Sequence, residues 1–158
     1  MRSMGVILLV LIGILVIACG SSGSSEPTES GLRERAEAMA TVTSNEKWIE
    51  AHRFYSPEFQ EKCPAGEFAI AVGMSMGMLK GLMGIDEDEK IGFHVTAVTV
   101  DGLNGSVTAE MLYKGEPLDF GDTDDGDTDD EEPDQWAFID GQWRYTEKDD
   151  DEEGCPGF

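Results

Sequence analysis

An α+β fold, with helices first and an antiparallel sheet after them, is what this sequence predicts. Three observations lead there. Apolar residues recur at helical spacing from Leu32 to Met83. From Ile91 onward they alternate with the period of a strand. The dipeptide Asp140-Gly141, well suited to a two-residue hairpin turn, separates two aromatic-rich runs.

The helical part comes first. Leu32 to Thr41 places Leu32, Ala36, Met39 and Ala40 on one face and its charges elsewhere. Thr43-Ser44-Asn45-Glu46 reads as a capping box, with a hydroxyl and a carboxylate placed to satisfy free backbone N–H groups, so a second helix is expected there. Trp48, Ile49, His52 and Tyr55 give that helix one broad apolar face. Ser56-Pro57 restarts the chain, since the hydroxyl can cap and proline suits the first helical position; a short turn through Phe59 follows.

A long helix is expected over Glu67 to Gly84, a stretch with four methionines and four glycines. Phe68, Val72, Met76, Leu79 and Met83 form one stripe. Methionine adapts its shape, so this stripe, with Trp48, His52 and Tyr55, is a candidate lining for a hydrophobic pocket. Ordinary packing against a sheet would use the same stripe. Gly73, Gly77 and Gly81 lie beside it and permit a neighbouring element to approach closely.

The strands follow. Ile91, Phe93 and Val95 alternate, and Val98 and Val100 continue after a phase shift near Ala97 that indicates a bulge. The turn Asp101 to Gly105 leads to Val107, Ala109, Met111 and Tyr113, which completes a hairpin. Gln135 to Ile139 and Gln142 to Tyr145 flank Asp140-Gly141 and form a second hairpin.

Ahead of the folded region, the apolar run Val6 to Ala18 has 13 residues. A membrane-crossing helix needs about 20. With Arg2 before the run and the small Ala18 after it, the layout is that of a secretory signal. Val16-Ile17-Ala18-Cys19 resembles the lipobox of bacterial lipoproteins. That resemblance implies cleavage before Cys19, acylation of Cys19, and export to the outer face of the cell membrane, where two or more acyl chains give stable anchoring. The expected organisation is a signal peptide over 1–18, a Gly/Ser-rich tether over 19–30, one domain over 31–148 with an acidic loop at 119–134, and an acidic tail over 149–158.

The chain has 11 basic and 33 acidic residues, a formal net charge of −22. Such a surface repels nucleic acid and anionic lipid, so the membrane partner is reached through acylated Cys19 and no nucleic-acid partner is expected. A small apolar ligand or another envelope protein remains as a partner. Export also places Cys63 and Cys155 where thiols are oxidised, and each precedes a proline at a chain turn, so a disulfide between them is expected.

The tandem repeat Gly121 to Asp125 and Gly126 to Asp130 sets Asp122, Asp124, Asp127 and Asp129 at alternate positions, a pattern that invites calcium. Counted from Asp122, however, the twelfth position is Pro133, so the helix-loop-helix calcium spacing is absent. A solvated hairpin connection is the expected reading, with a calcium-responsive surface protein as an alternative. No Ser-His-Asp elbow, phosphate loop or zinc spacing occurs, and neither His52 nor His94 has a partner at motif spacing.

Trp48 and Tyr55 on an early helix, Tyr55-Ser56-Pro57-Glu58-Phe59, Cys63, a long apolar helix and a final meander ending Asp140-Gly141-Gln142-Trp143-Arg144 resemble nuclear transport factor 2-like domains of secreted bacterial lipoproteins. The resemblance covers about Leu32 to Thr146. It implies a cone: a strongly bent antiparallel sheet wrapped over helices and open onto a cavity. That superfamily includes isomerases and dehydratases as well as noncatalytic binding modules. The expectation is a lipid-anchored, noncatalytic binding or interaction module without a cofactor, with a cone-fold enzyme acting on a small apolar molecule as the alternative.

Lipidation is directly testable. Metabolic labelling with a fatty acid marks the native protein, and Cys19→Ala abolishes the label and leaves unprocessed or released protein. Label that persists on Cys19→Ala refutes the anchor.

Overall fold

The computed structural model describes residues 26–118, 132–146 and 155. The signal-like run, Cys19, most of the tether, the repeat with Asp122, Asp124, Asp127 and Asp129, and the acidic tail other than Cys155 lie outside the described residues.

Helix α1 runs Glu29–Ser44, α2 Trp48–Ala51, a single 3-10 turn His52–Phe54, α3 Pro57–Lys62 and α4 Ala65–Met83. Strands β1 Ile91–Asp101, β2 Asn104–Tyr113, β3 Glu116–Pro117, β4 Asp134–Ile139 and β5 Gln142–Thr146 follow. All the strand pairings within the sheet are antiparallel, so the chain is α+β, helices before sheet. Strand β2 is central. It pairs with β1 along its whole length, and its other edge is shared between β4, at Asn104 to Val107, and β3, at Leu112 and Tyr113.

Local chemistry explains most boundaries. The Thr28 side chain accepts from Gly31 N, so α1 starts two residues inside the span read as tether. Ser56 accepts from Phe59 N and Pro57 takes the first helical position of α3. Gly84, left-handed at φ 68°, ends α4. The bulge falls between Val95 and Ala97. Positive φ at both Asp140 and Gly141 gives the β4–β5 turn its strand-matching twist, and Lys114-Gly115 does the same between β2 and β3.

One expectation is corrected. Thr43-Ser44-Asn45-Glu46 does not cap α2, because Thr43 and Ser44 still belong to α1. The Ser44 hydroxyl donates to Ala40 O at 2.7 Å and accepts from Phe93 N at 2.8 Å, tying the end of α1 to β1. Glu46 is left-handed at φ 58° and pairs with Lys80 of α4 instead. Both groups are taken up by tertiary partners, and α2 begins without a side-chain cap.

Two apolar clusters result. In the first, Leu32 and Ala36 of α1 pack on Val95, Val98, Val107 and the two indoles Trp136 and Trp143 of the sheet. In the second, Ala51, Phe59, Cys63 and Phe68 gather the short helices against the start of α4. Cys155 joins that cluster through a disulfide to Cys63, with the Cα atoms 4.6 Å apart. Closing a span of 92 positions contributes on the order of 4 kcal/mol in the chain-entropy account.

Tyr55 and Tyr145 join the two clusters. Ser56 N donates to Tyr145 O at 2.9 Å, and the two phenol rings meet edge to face at 4.8 Å. Beside them Arg35 of α1 and Arg144 of β5 both donate to the Arg53 carbonyl, at 3.3 and 2.6 Å. Three elements are thereby braced at one oxygen. Burial, and then the neighbouring Arg144, lower the Arg35 pKa.

Gly105 decides how closely α1 can approach. A Cβ there would overlap the Leu32 side chain and lie 3.2 Å from both Thr99 O and the Trp143 ring. Gly105→Ala is therefore expected to destabilise the fold by about 1–3 kcal/mol, the cost of overpacking. Gly66→Ala, where nothing lies within 4 Å, is expected to leave stability unchanged or slightly higher. Thermal unfolding followed by circular dichroism checks both.

Candidate functional site

The two clusters leave space between them. A cavity of about 220 Å³ lies between α1, α2, α4 and the inner face of the sheet. An apolar cavity of about 150 Å³ already accepts a benzene-sized molecule, so this one has room for a small organic ligand.

Residue size on α1 accounts for the opening. Past Leu32 the helix presents Ala36, Ala40 and Thr43, whose short side chains fill less of the space above the sheet than larger residues would. Met39 lies alongside them. The period of two on the strands brings Phe93 and Val95 of β1, and Val107 and Ala109 of β2, to the same face. Trp136 of β4 and Tyr145 of β5 extend that face. Trp48 and Tyr55 close the side formed by the short helices, and α4 contributes Phe68, Val72 and Met76. Gly73 of α4 sits next to the Trp48 indole, 3.6 Å from where its Cβ would be, so at least this glycine of the small-residue stripe serves close packing.

Polar groups are few. Among the described residues lining the cavity, Asp134 alone is charged. It is solvent-exposed, so it stands at the rim, and its Oδ1 accepts from the Tyr145 hydroxyl at 3.3 Å. Trp136 is only 3% exposed, and its indole N–H finds no acceptor among the described residues. The wall is therefore apolar and aromatic, with donors from tyrosine, threonine and tryptophan and one acidic acceptor at the edge.

Of the residues the sequence proposes for a pocket, Trp48, Tyr55, Phe68, Val72 and Met76 line this cavity. His52, Leu79 and Met83 are not among its lining residues. His52 is buried between the Phe59 and Phe68 rings, and its Nε2 lies 2.7 Å from the Cys63 carbonyl, which requires a proton on that nitrogen. It supports the second cluster. Leu79 and Met83 continue the α4 stripe past the cavity and are half-buried there. His94 is exposed on the opposite face of β1.

Sequence reasoning missed Asp134, Trp136, Tyr145, Phe93 and Met39 as cavity residues. A signal existed for the first two: Asp134, Trp136 and Phe138 share one face of a strand by simple alternation. Asp134 was hidden because it closes a long acidic run and reads as one more solvated carboxylate.

Elsewhere, the Tyr113 hydroxyl and the Lys114 ammonium converge on Glu89. The Tyr113 hydrogen bond first, and then Lys114, hold that carboxyl below its usual range, while Lys114 is raised. These contacts fasten the acidic turn before β1 to the end of β2. Among the described residues no group of three or more His, Cys, Asp or Glu side chains is placed to hold a metal ion, and no helix is long and apolar enough to cross a membrane. No protein-family model, curated protein or solved structure matches this chain.

Proposed function

We propose that this chain is a noncatalytic, extracytoplasmic binding module, anchored to the outer face of the cell membrane through acylated Cys19, with a cone-like domain whose cavity takes a small apolar molecule. The observation behind this reading is the 220 Å³ space walled by Met39, Trp48, Phe68, Met76, Phe93 and Trp136. Apolar walls with a few convergent polar groups are the usual make-up of a small-molecule site. The charge pattern narrows the ligand. A carboxylate at the rim and a net charge of −22 disfavour fatty acids and other anions, and favour a neutral or cationic head on an apolar body. No cofactor is required.

A second reading rests on Asp134 and its hydrogen bond to Tyr145. In a cone-fold isomerase or dehydratase such a carboxylate would move a proton. An acid or base for that role must meet the substrate at a tuned pKa, which burial normally supplies. The exposed position of Asp134 favours binding over catalysis.

Calorimetric titration with three probes that share one ring tests the proposal: benzyl alcohol, benzylammonium and benzoate. The neutral and cationic probes are expected to saturate one site, and benzoate is not. Ala109→Phe, which fills the cavity from β2, abolishes binding. Asp134→Asn weakens the binding of benzylammonium and leaves benzyl alcohol bound. Absence of saturable binding by any probe, or undiminished binding to Ala109→Phe, overturns the proposal.

A further inference from the structure

Helix α4 is apolar on nearly every side. Its inner stripe is used by the cavity and the second cluster, whereas Ile70, Met74, Met78 and Leu82 on the outer side are 66, 71, 69 and 75% exposed. Four residues apart, they form a single ridge about 18 Å long. Gly77 and Gly81 flank the ridge, and a Cβ on either would meet nothing within 4 Å. Single exposed apolar residues are ordinary, but four in one row on a helix that is hydrophobic all round mark a covered surface.

We propose that this ridge packs against the same ridge of a second copy of this chain, antiparallel about a two-fold axis. The spacing is self-complementary: Ile70 then meets Leu82 of the partner subunit, and Met74 meets Met78 of the partner subunit. Flanking glycines let the backbones approach closely, and methionine side chains adapt to one another.

Area and charge select a second copy over other occupants. At the exposures above, the four side chains bury roughly 500 Å² per copy, about 1,000 Å² for the pair, which reaches the lower limit for a specific interface. The only charged residue from Ile70 to Leu82 is Lys80, which is 5% exposed and turned inward to Glu46. Within 70–82 no like charges are therefore brought together, despite the net −22 of each chain, and at the two ends Glu67 comes beside Asp86 of the partner subunit, where both are exposed and screened by solvent and salt. A lipid surface fits less well. Helices that lie on membranes present basic residues at their flanks. Here the flanks are Glu67 at one end and Asp86, Glu87 and Asp88 at the other.

The test uses the full chain in its own envelope, with Met78 replaced by the photoreactive residue benzoylphenylalanine. Irradiation is expected to give an adduct of twice the chain mass, and peptide mapping is expected to locate the link within residues 70–82 of the other copy. Adding Met74→Glu to the same chain abolishes the adduct, and at dilutions where both delipidated proteins are monomeric it leaves the unfolding midpoint unchanged, because that side chain is exposed in the single chain. A benzoylphenylalanine at exposed Glu58 gives no copy-to-copy adduct. Links from position 78 to lipid, links to a different protein, no adduct at all, or an adduct that survives Met74→Glu each overturn the proposal.

Discussion

The contact between Leu32 and the sheet at Gly105 sets the geometry of the whole domain. Leu32 is fully buried, and it fits because Gly105 offers no side chain at the point where β2 is paired with both β1 and β4. A helix seated that deeply at its start runs on across the sheet. Beyond Leu32 it carries alanines and a threonine where larger residues would have filled the gap. The cavity is thus a consequence of residue sizes along one helix face, large at the start and small afterwards. Filling that gap with ordinary core residues would be more stabilising, since closely packed interiors are the norm, and the retained space is the feature that calls for a function.

The second cluster depends on the first through Tyr55 and Tyr145. Their rings, the hydrogen bond from Ser56 to Tyr145, and the shared Arg53 carbonyl connect the short helices to the last strand. The disulfide from Cys63 to Cys155 adds a covalent tie at the same cluster. His52 belongs to this supporting structure, since its ring satisfies the Cys63 carbonyl in a setting where an unpaired acceptor would cost about 1–3 kcal/mol. The domain accordingly keeps its buried polar contacts beside the cavity rather than in it, and among the described residues leaves Asp134 as the one charge at the opening.

Where a feature is decided by neighbouring residues, the sequence was readable. Ser56-Pro57, the bulge near Ala97 and the Asp140-Gly141 turn all rest on local backbone chemistry, and the structure has them where the pattern puts them. Thr43 to Glu46 shows the opposite case. The motif is a correct local signature, yet Phe93 N and Lys80, 49 and 34 residues away, claim its side chains. The cavity was half legible for the same reason. Helical spacing identified Phe68, Val72 and Met76, but could not say where along α4 the cavity ends, so Leu79 and Met83 were carried along. The sheet side depended on which strands face α1, a matter of pairing and register that no short stretch encodes.

Methionine positions offer the most direct test of the cavity as a binding site. Met39 and Met76 line it, whereas Met74 and Met78 lie on the outer ridge of α4. In methyl-labelled protein, titration with benzyl alcohol should shift the Met39 and Met76 methyl resonances along one saturating curve and leave Met74 and Met78 in place. Shifts confined to Met74 and Met78, or none at Met39 and Met76 up to the solubility limit of the probe, would contradict the assignment of this cavity as the ligand site.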